Sequence, residues 1–329
     1  MGHWATTRLI PLRHGRWIIY PLILLLILPL IRQVYYRFQE MNGFDLSNAR
    51  IPLTEIEHGG PPRDGIPAID KPVFVAADKA DFLQPDDFVL GIEYNDIRRA
   101  YPLRILNHHE LVNDRFAELP VLISYCPLCG TGMAFDARID GEGLQFGVSG
   151  LLYNSDMLMY DRDSDSLWSQ IAAEAVAGPR AGEKLTPLPV VHLPWQQWQS
   201  EFPGSEVLSA DTGYWRDYGQ SPYDGYEASE DLYFPVSTID RRYHPKERVI
   251  GLTHNGVSRV WPFSELAALD NLPLHDQFGG ATVAVHYSSE HRSARIADEA
   301  GEWLPATAAY WFAWIAFHPD SEVFQAGTK

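Results

Sequence analysis

Residues 89–106 read VLGIEYNDIRRAYPLRIL and residues 249–266 read VIGLTHNGVSRVWPFSEL. At a constant offset of 160 they share Val89/Val249, Gly91/Gly251, Asn95/Asn255, Arg99/Arg259, Pro102/Pro262 and Leu106/Leu266. Six identities in 18 positions mark an internal duplication, which has to be settled before single motifs are weighed. In each copy an apolar strand runs into Asn95-Asp96 or Asn255-Gly256, the chemistry of a two-residue type I′ hairpin in which both central residues take positive φ. After the proline, Leu103, Leu106 and Glu110, or Phe263, Leu266 and Asp270, suit a short helix, which proline can precede because the first N–H groups of a helix have no partner anyway. With two residues inserted, the match runs through Asp114/Asp276 and Phe116/Phe278 to a further strand, VLISY at 121–125 and VAVHY at 283–287.

Working outward, strands are expected over 133–137, 144–149 and 157–160, and a loop-rich connection with a short helix near 195–201 over 179–223, where six prolines fall. Residues 42–88 read as an extended wrapping segment, and AAYWFAWIAFHPD at 308–320 as a buried helix or strand. The amino-terminal run WIIYPLILLLILPLI at 17–31 is uncharged, with Arg8, Arg13 and Arg16 before it and Arg32 and Arg37 after it. It reads as an uncleaved signal anchor whose flanking aromatic and arginine side chains reach the interfaces, with the positive side inside. The expected layout is a cytoplasmic 1–16, a transmembrane segment and flank at 17–37, a wrapping segment at 38–88, a first unit with the cysteines at 89–178, a Pro-rich connection at 179–235, and a second, structural unit at 236–329. That places a single-pass protein in the bacterial inner membrane, the membrane its partner and the bulk of the chain periplasmic. Across all 329 residues, 43 acidic side chains face 26 Lys and Arg, a net charge of -17 that would repel a phosphate backbone, so nucleic acid is excluded as a partner.

Cys126 and Cys129 are the only cysteines, three residues apart in YCPLCGTGMAF, just after an expected strand. Two thiolates at that spacing can close one side of a soft-metal site, copper before zinc given Met157 and Met159 nearby. His109 is the candidate third ligand, since its register after Ile105 turns it toward the cysteines while His108 faces away. Tyr153, Asn154, Asp156, Trp168 and His108 are the expected pocket lining. Storage, delivery and metal-assisted oxidation all fit such a site, with a metal donor or acceptor as partner. Two alternatives use the same pair: a thiol-disulfide oxidoreductase with Cys126 attacking and Cys129 resolving, working with a redox protein, and a non-catalytic partner-binding module in which the pair is a structural disulfide. Where the first copy has His108, His109, Cys126 and Cys129, the second has Ala268, Leu269, Ser288 and Ser289, the last pair falling at 126 and 127 plus 162, so chemistry is expected in the first copy alone. Asp161, Asp163 and Asp165 suggest a calcium loop, but Ser166 and Ala172 occupy the positions that need glycine and glutamate. No G-x-S-x-G, H-E-x-x-H, P-loop or C-x-x-C-H motif occurs.

GGPPRDGIPAID at 59–70, RRAYPLRILNHHELVND at 98–114, YCPLCGTGMAFD at 125–136, SGLLYNSDMLMYDRDSDSLWSQ at 149–170, TGYWRDYGQSPYDGY at 212–226 and WFAWIAFHPD at 311–320 together resemble the bacterial DUF3179 domain proteins, a group without an assigned function. The resemblance covers nearly everything after residue 50 and places Cys126, Cys129, His109 and the Asn154/Asp156 stretch at the family's characteristic motifs. The fold class expected from all of this is mainly β with short helices, a β-rich α+β fold of two related β-hairpin-helix-strand units in one globular region, plus the amino-terminal transmembrane helix.

Overall fold

Both Asn-led turns close as tight hairpins. Asn95 and Asp96 take φ of 47° and 64°, and Asn255 and Gly256 take 49° and 78°, so each connection matches the twist of its strands. The computed structural model describes residues 41–327, of which those from Phe44 onward fold as one unit. Its strands are β1 (Ile56–His58), β2 (Phe74–Ala76), β3 (Phe88–Tyr94), β4 (Ile97–Pro102), β5 (Leu111–Phe116), β6 (Leu119–Cys126), β7 (Thr131–Asp136) and β8 (Arg138–Ile139). There follow β9 (Glu142–Gly143), β10 (Phe146–Tyr153), β11 (Asp156–Asp161), β12 (Leu167–Ser169), β13 (Glu174–Ala177), β14 (Thr186–Leu188), β15 (Val191–Pro194) and β16 (Glu206–Leu208). The last are β17 (Arg248–His254), β18 (Val257–Pro262), β19 (Leu274–Phe278), β20 (Ala281–Ser288), β21 (Ser293–Ala297), β22 (Thr307–Tyr310) and β23 (Glu322–Val323). Four short helices accompany them: α1 (Leu103–His109), α2 (Trp195–Glu201), α3 (Phe263–Ala267) and α4 (Trp311–Phe317).

The expected fold class is corrected in its architecture. The chain is β-rich with few short helices, but two hairpin units do not describe all of it: there are five sheets of three or more strands, ordered β1-β10-β11-β12-β13, β14-β7-β6-β5, β15-β3-β4-β16-β2, β22-β17-β18-β23 and β19-β20-β21, and a two-stranded one, β8-β9. Strands distant in sequence complete the hairpins. β15 joins β3 and β22 joins β17, both antiparallel, while β16 and β23 lie parallel to β4 and β18. The region 179–223, expected to be mostly loop, thus supplies β14, β15, α2 and β16.

Packing explains why the duplicated glycines are glycines. A Cβ on Gly91 would sit 2.1 Å from the Trp198 ring, and one on Gly251 2.4 Å from the Trp314 ring. Trp198 Nε1 donates to Ser205 Oγ and Trp314 Nε1 to Ser321 Oγ, each at 2.9 Å. Arg99 spans Asp114 and Glu206, as Arg259 spans Asp276 and Glu322. The helix-and-strand pieces 195–207 and 311–323 therefore form a second repeated element, in register with the first.

Among the described residues no helix is long and apolar enough to cross a membrane. The span expected at 17–37 lies outside the described residues. None of the described residues therefore supplies a membrane-spanning helix for the expected anchored, single-pass, periplasmic layout with the membrane as partner.

Candidate metal centre

The site is built by two tight turns that face each other. β6 ends at Cys126, which pairs with Thr131 at the start of β7, so residues 127–130 form the connecting turn. Gly130 has φ 59°, and a Cβ there would lie 2.7 Å from the Tyr310 ring, so no larger residue can close the turn in place. The opposing turn joins β10 to β11 through Asn154 and Ser155, at φ 52° and 65°, and delivers Asp156 as the first residue of β11. Asn154 fixes this turn from outside: its Oδ1 accepts from the Ser237 N–H at 2.7 Å and its Nδ2 donates to Ala316 O at 3.3 Å.

The two cysteines are free thiols, 1% and 0% exposed, so the structural-disulfide reading is corrected. Cys129 Sγ donates to Ser155 O at 3.4 Å, and Cys126 Sγ reaches the same carbonyl at 4.0 Å. Both sulfurs and a carboxylate oxygen of Asp156 lie within 4.8 Å of one another, all buried. This cluster could hold a metal ion. Asp156 Oδ2 accepts from the Ile171 N–H at 3.1 Å, while Oδ1 is buried without a hydrogen-bond partner. Burial raises every acid here because the anionic form loses its hydration. It pushes both thiols up, Cys129 the further, and the neighbouring Cys126 adds to that. Asp156 is raised to about 7, mainly by burial, against the pull of the Ile171 N–H. Glu110, at the end of α1, is raised to about 8 by burial and by Asp156. A thiol-disulfide exchange centre needs an accessible thiolate, and two sealed thiols with raised pKa values oppose that alternative.

The structure places His109 elsewhere. It is fully buried, its Nδ1 donates to Pro67 O at 2.7 Å, and its Nε2 accepts from the Tyr218 hydroxyl at 2.6 Å. The third group beside the sulfurs is the Asp156 carboxylate; His109 is not in that cluster. His108 Nε2 donates to Gln220 O at 2.9 Å. The two histidines thus clasp the stretch 209–247, which has no helix or strand and supplies Tyr223 and Tyr226 next to the cysteines. Tyr153 packs edge-on against Phe317 at 5.5 Å, and Trp168 donates to Asp161 Oδ2 at 2.9 Å. Trp168 shares the cysteines' apolar core without reaching the cluster. Asp161 is occupied by Ser164 and Trp168, which leaves no calcium loop there.

Three site residues escaped the sequence reading. Gln170 braces the cysteine hairpin by donating to Ser124 Oγ at 2.9 Å and Thr131 O at 3.3 Å. Glu110 and Tyr223 come from segments 113 residues apart, and only the observation that an acid follows the histidine pair hinted at the first. The second copy repeats the turn without the chemistry: Ser288 pairs with Ser293 as Cys126 does with Thr131, and its Oγ meets His291 Nδ1 at 3.0 Å.

No match is found among curated proteins or solved structures. A family model does match, over residues 63–303, so that both turns, the histidine pair and the clasped stretch all fall inside it: the chain belongs to the family described as protein of unknown function (DUF3179).

Proposed function

We propose that the protein binds a transition-metal ion, zinc in preference to copper, between Cys126, Cys129 and Asp156. The observation that carries the reading is the close approach of three buried ligand atoms from two separate turns, one of them on a carboxylate with an unpartnered oxygen. Two thiols and a carboxyl group buried together are costly as anions and serve no packing purpose that three apolar side chains would not serve better. A divalent cation turns that cost into coordination. The carboxylate favours zinc over copper. Zinc accepts cysteine sulfur and carboxylate oxygen alike, whereas copper in its reduced state favours an all-soft set. Zinc also leaves less net charge in the core than a monovalent ion would. Three protein donors are one fewer than a closed tetrahedral site, which leaves a position for a further ligand.

The test is elemental analysis of the full chain after equilibration with zinc and with copper, paired with thiol counting. One zinc per chain is expected, with both thiols protected until a chelator is added. Cys126→Ser and Cys129→Ser should each lose the metal, and Asp156→Asn should weaken it. Retention of metal by the double cysteine variant, or two freely reactive thiols in the presence of excess zinc, would overturn the proposal. Preferential retention of copper would overturn the choice of ion.

A further inference from the structure

Beside the cysteine turn lies a cavity of about 240 Å³ whose walls include Leu128, Met157, Tyr223, Tyr233, Phe234 and Glu110. Among the described residues, Glu110 is the only charged one that lines it, and no histidine does. The Glu110 side chain is 7% exposed, with the Tyr223 hydroxyl as its hydrogen-bond partner. Its backbone caps α1 at φ 59°, donating to Leu106 O at 2.7 Å and accepting from the Tyr125 N–H at 2.7 Å. A glycine or asparagine would make that cap with less strain, so the helix end does not explain a glutamate. The cavity does.

We infer that this cavity binds a small organic ammonium ion, its cationic nitrogen against Glu110 and its apolar part against the rings of Tyr223, Tyr233 and Phe234. A cation held against the Glu110 carboxyl favours its ionised form and pairs with it, whereas an anion there would oppose ionisation and find no positive partner. Aromatic faces add attraction for an ammonium that they do not offer a neutral molecule. The volume is sufficient, since a cavity of about 150 Å³ already accepts benzene. Tyr233, 56% exposed, stands at the mouth on the irregular stretch 209–247 and gives a way in. The inference goes beyond the metal reading and does not depend on it, because Glu110 is not among the three ligands.

The experiment is calorimetric titration of the full chain with benzylammonium, benzyl alcohol and benzoate, near-isosteric probes that differ in charge. Benzylammonium should saturate at one per chain, benzyl alcohol should bind about tenfold more weakly or worse, and benzoate should not bind. Glu110→Gln should lose the preference for the cation. Tyr233→Ala, at an exposed position that folding does not require, should weaken benzylammonium several-fold and serves if the first variant fails to fold. Cys126→Ser/Cys129→Ser should still bind the amine, which separates this result from the fate of the metal. Equal binding of alcohol and ammonium, tighter binding of benzoate, or no saturable binding of benzylammonium at millimolar concentration would overturn the inference.

Discussion

The proposed metal centre makes a quantitative demand on pH. In the metal-free protein both thiols are raised above their ordinary value by burial, so near neutrality both are protonated. Coordination requires both as thiolates, and each ion bound must therefore release two protons. The logarithm of the binding constant should then rise by about two for each pH unit, equivalent to about 2.7 kcal/mol per unit at 1.36 kcal/mol per proton. Asp156, raised to about 7, contributes a third proton as the pH falls through that value, so the slope should steepen toward about three below pH 7. Competition against a chelator whose own pH behaviour is known, run from pH 6 to 8.5, reads this slope directly. Cys126→Ser, if it retains any affinity, should show one proton fewer. A slope of one or less across the range would mean that at most one sulfur ligates, and the two-thiolate site would be refuted.

Glu110 should govern the pH dependence of metal-free stability. Its folded pKa of about 8 lies above the usual carboxylate value of 4.5, so its contribution is complete below 4.5 and is lost as the pH rises through 8, at up to about 1.4 kcal/mol per unit. His192, depressed by burial to about 3, works in the opposite sense below 6.5, and Asp156, raised to about 7, works in the same sense as Glu110 up to that value; the decline should therefore be read between pH 7 and 8 by urea midpoints, and Glu110→Gln should flatten it. Gly91→Ala and Gly251→Ala each force a methyl into a tryptophan ring and should destabilise by about 1–3 kcal/mol or more; unchanged denaturation midpoints would show that the tryptophans are free to move. Asp114→Ala leaves Arg99 and the buried Tyr101 hydroxyl without their shared acceptor and should cost about 3–5 kcal/mol, whereas an effect under about 1 kcal/mol would mark the network as a surface pair.

Much of the scaffold was legible because its signals are local. The Asn-Asp and Asn-Gly steps dictate their hairpins through φ, and α1 and α2 form where the residues after Pro102 and around 195–201 suggested. The repeat beginning at Trp195 and Trp311 is equally visible once sought, in W-x-x-W followed by P-x-S-E-V, but its offset is 116 rather than 160. A search at one fixed spacing passes over it, and with it the reason for Gly91 and Gly251. The five-sheet architecture depends on strands such as β15 and β22 that pair far from their chain neighbours, which no local pattern encodes. At the site, the cysteine turn was plain from spacing, and Asp156 was recognised as pocket lining. Its place beside the sulfurs requires the 127–130 and 154–155 turns to meet. His109, turned by register toward the cysteines in the sequence reading, lies in the core with Pro67 and Tyr218 on both of its nitrogens.

The duplication was read as one chemical half and one structural half, and the two halves meet at the cysteine turn. Tyr310 ends β22, the strand that completes the second copy's hairpin, and its N–H donates to Cys129 O at 2.8 Å. Its ring lies where a Cβ on Gly130 would have to go. The next residue begins α4, whose Ala316 carbonyl receives Asn154 and so steadies the turn that presents Asp156. One short segment of the second half therefore bears on both turns that supply the ligand atoms. The Ser288 turn carries no sulfur, while the strand and helix of the second copy support the cysteine turn of the first. A cluster assembled from two strained loops holds its geometry only if something rigid lies behind both loops, and a strand paired along β17 with a tryptophan-rich helix after it provides that backing.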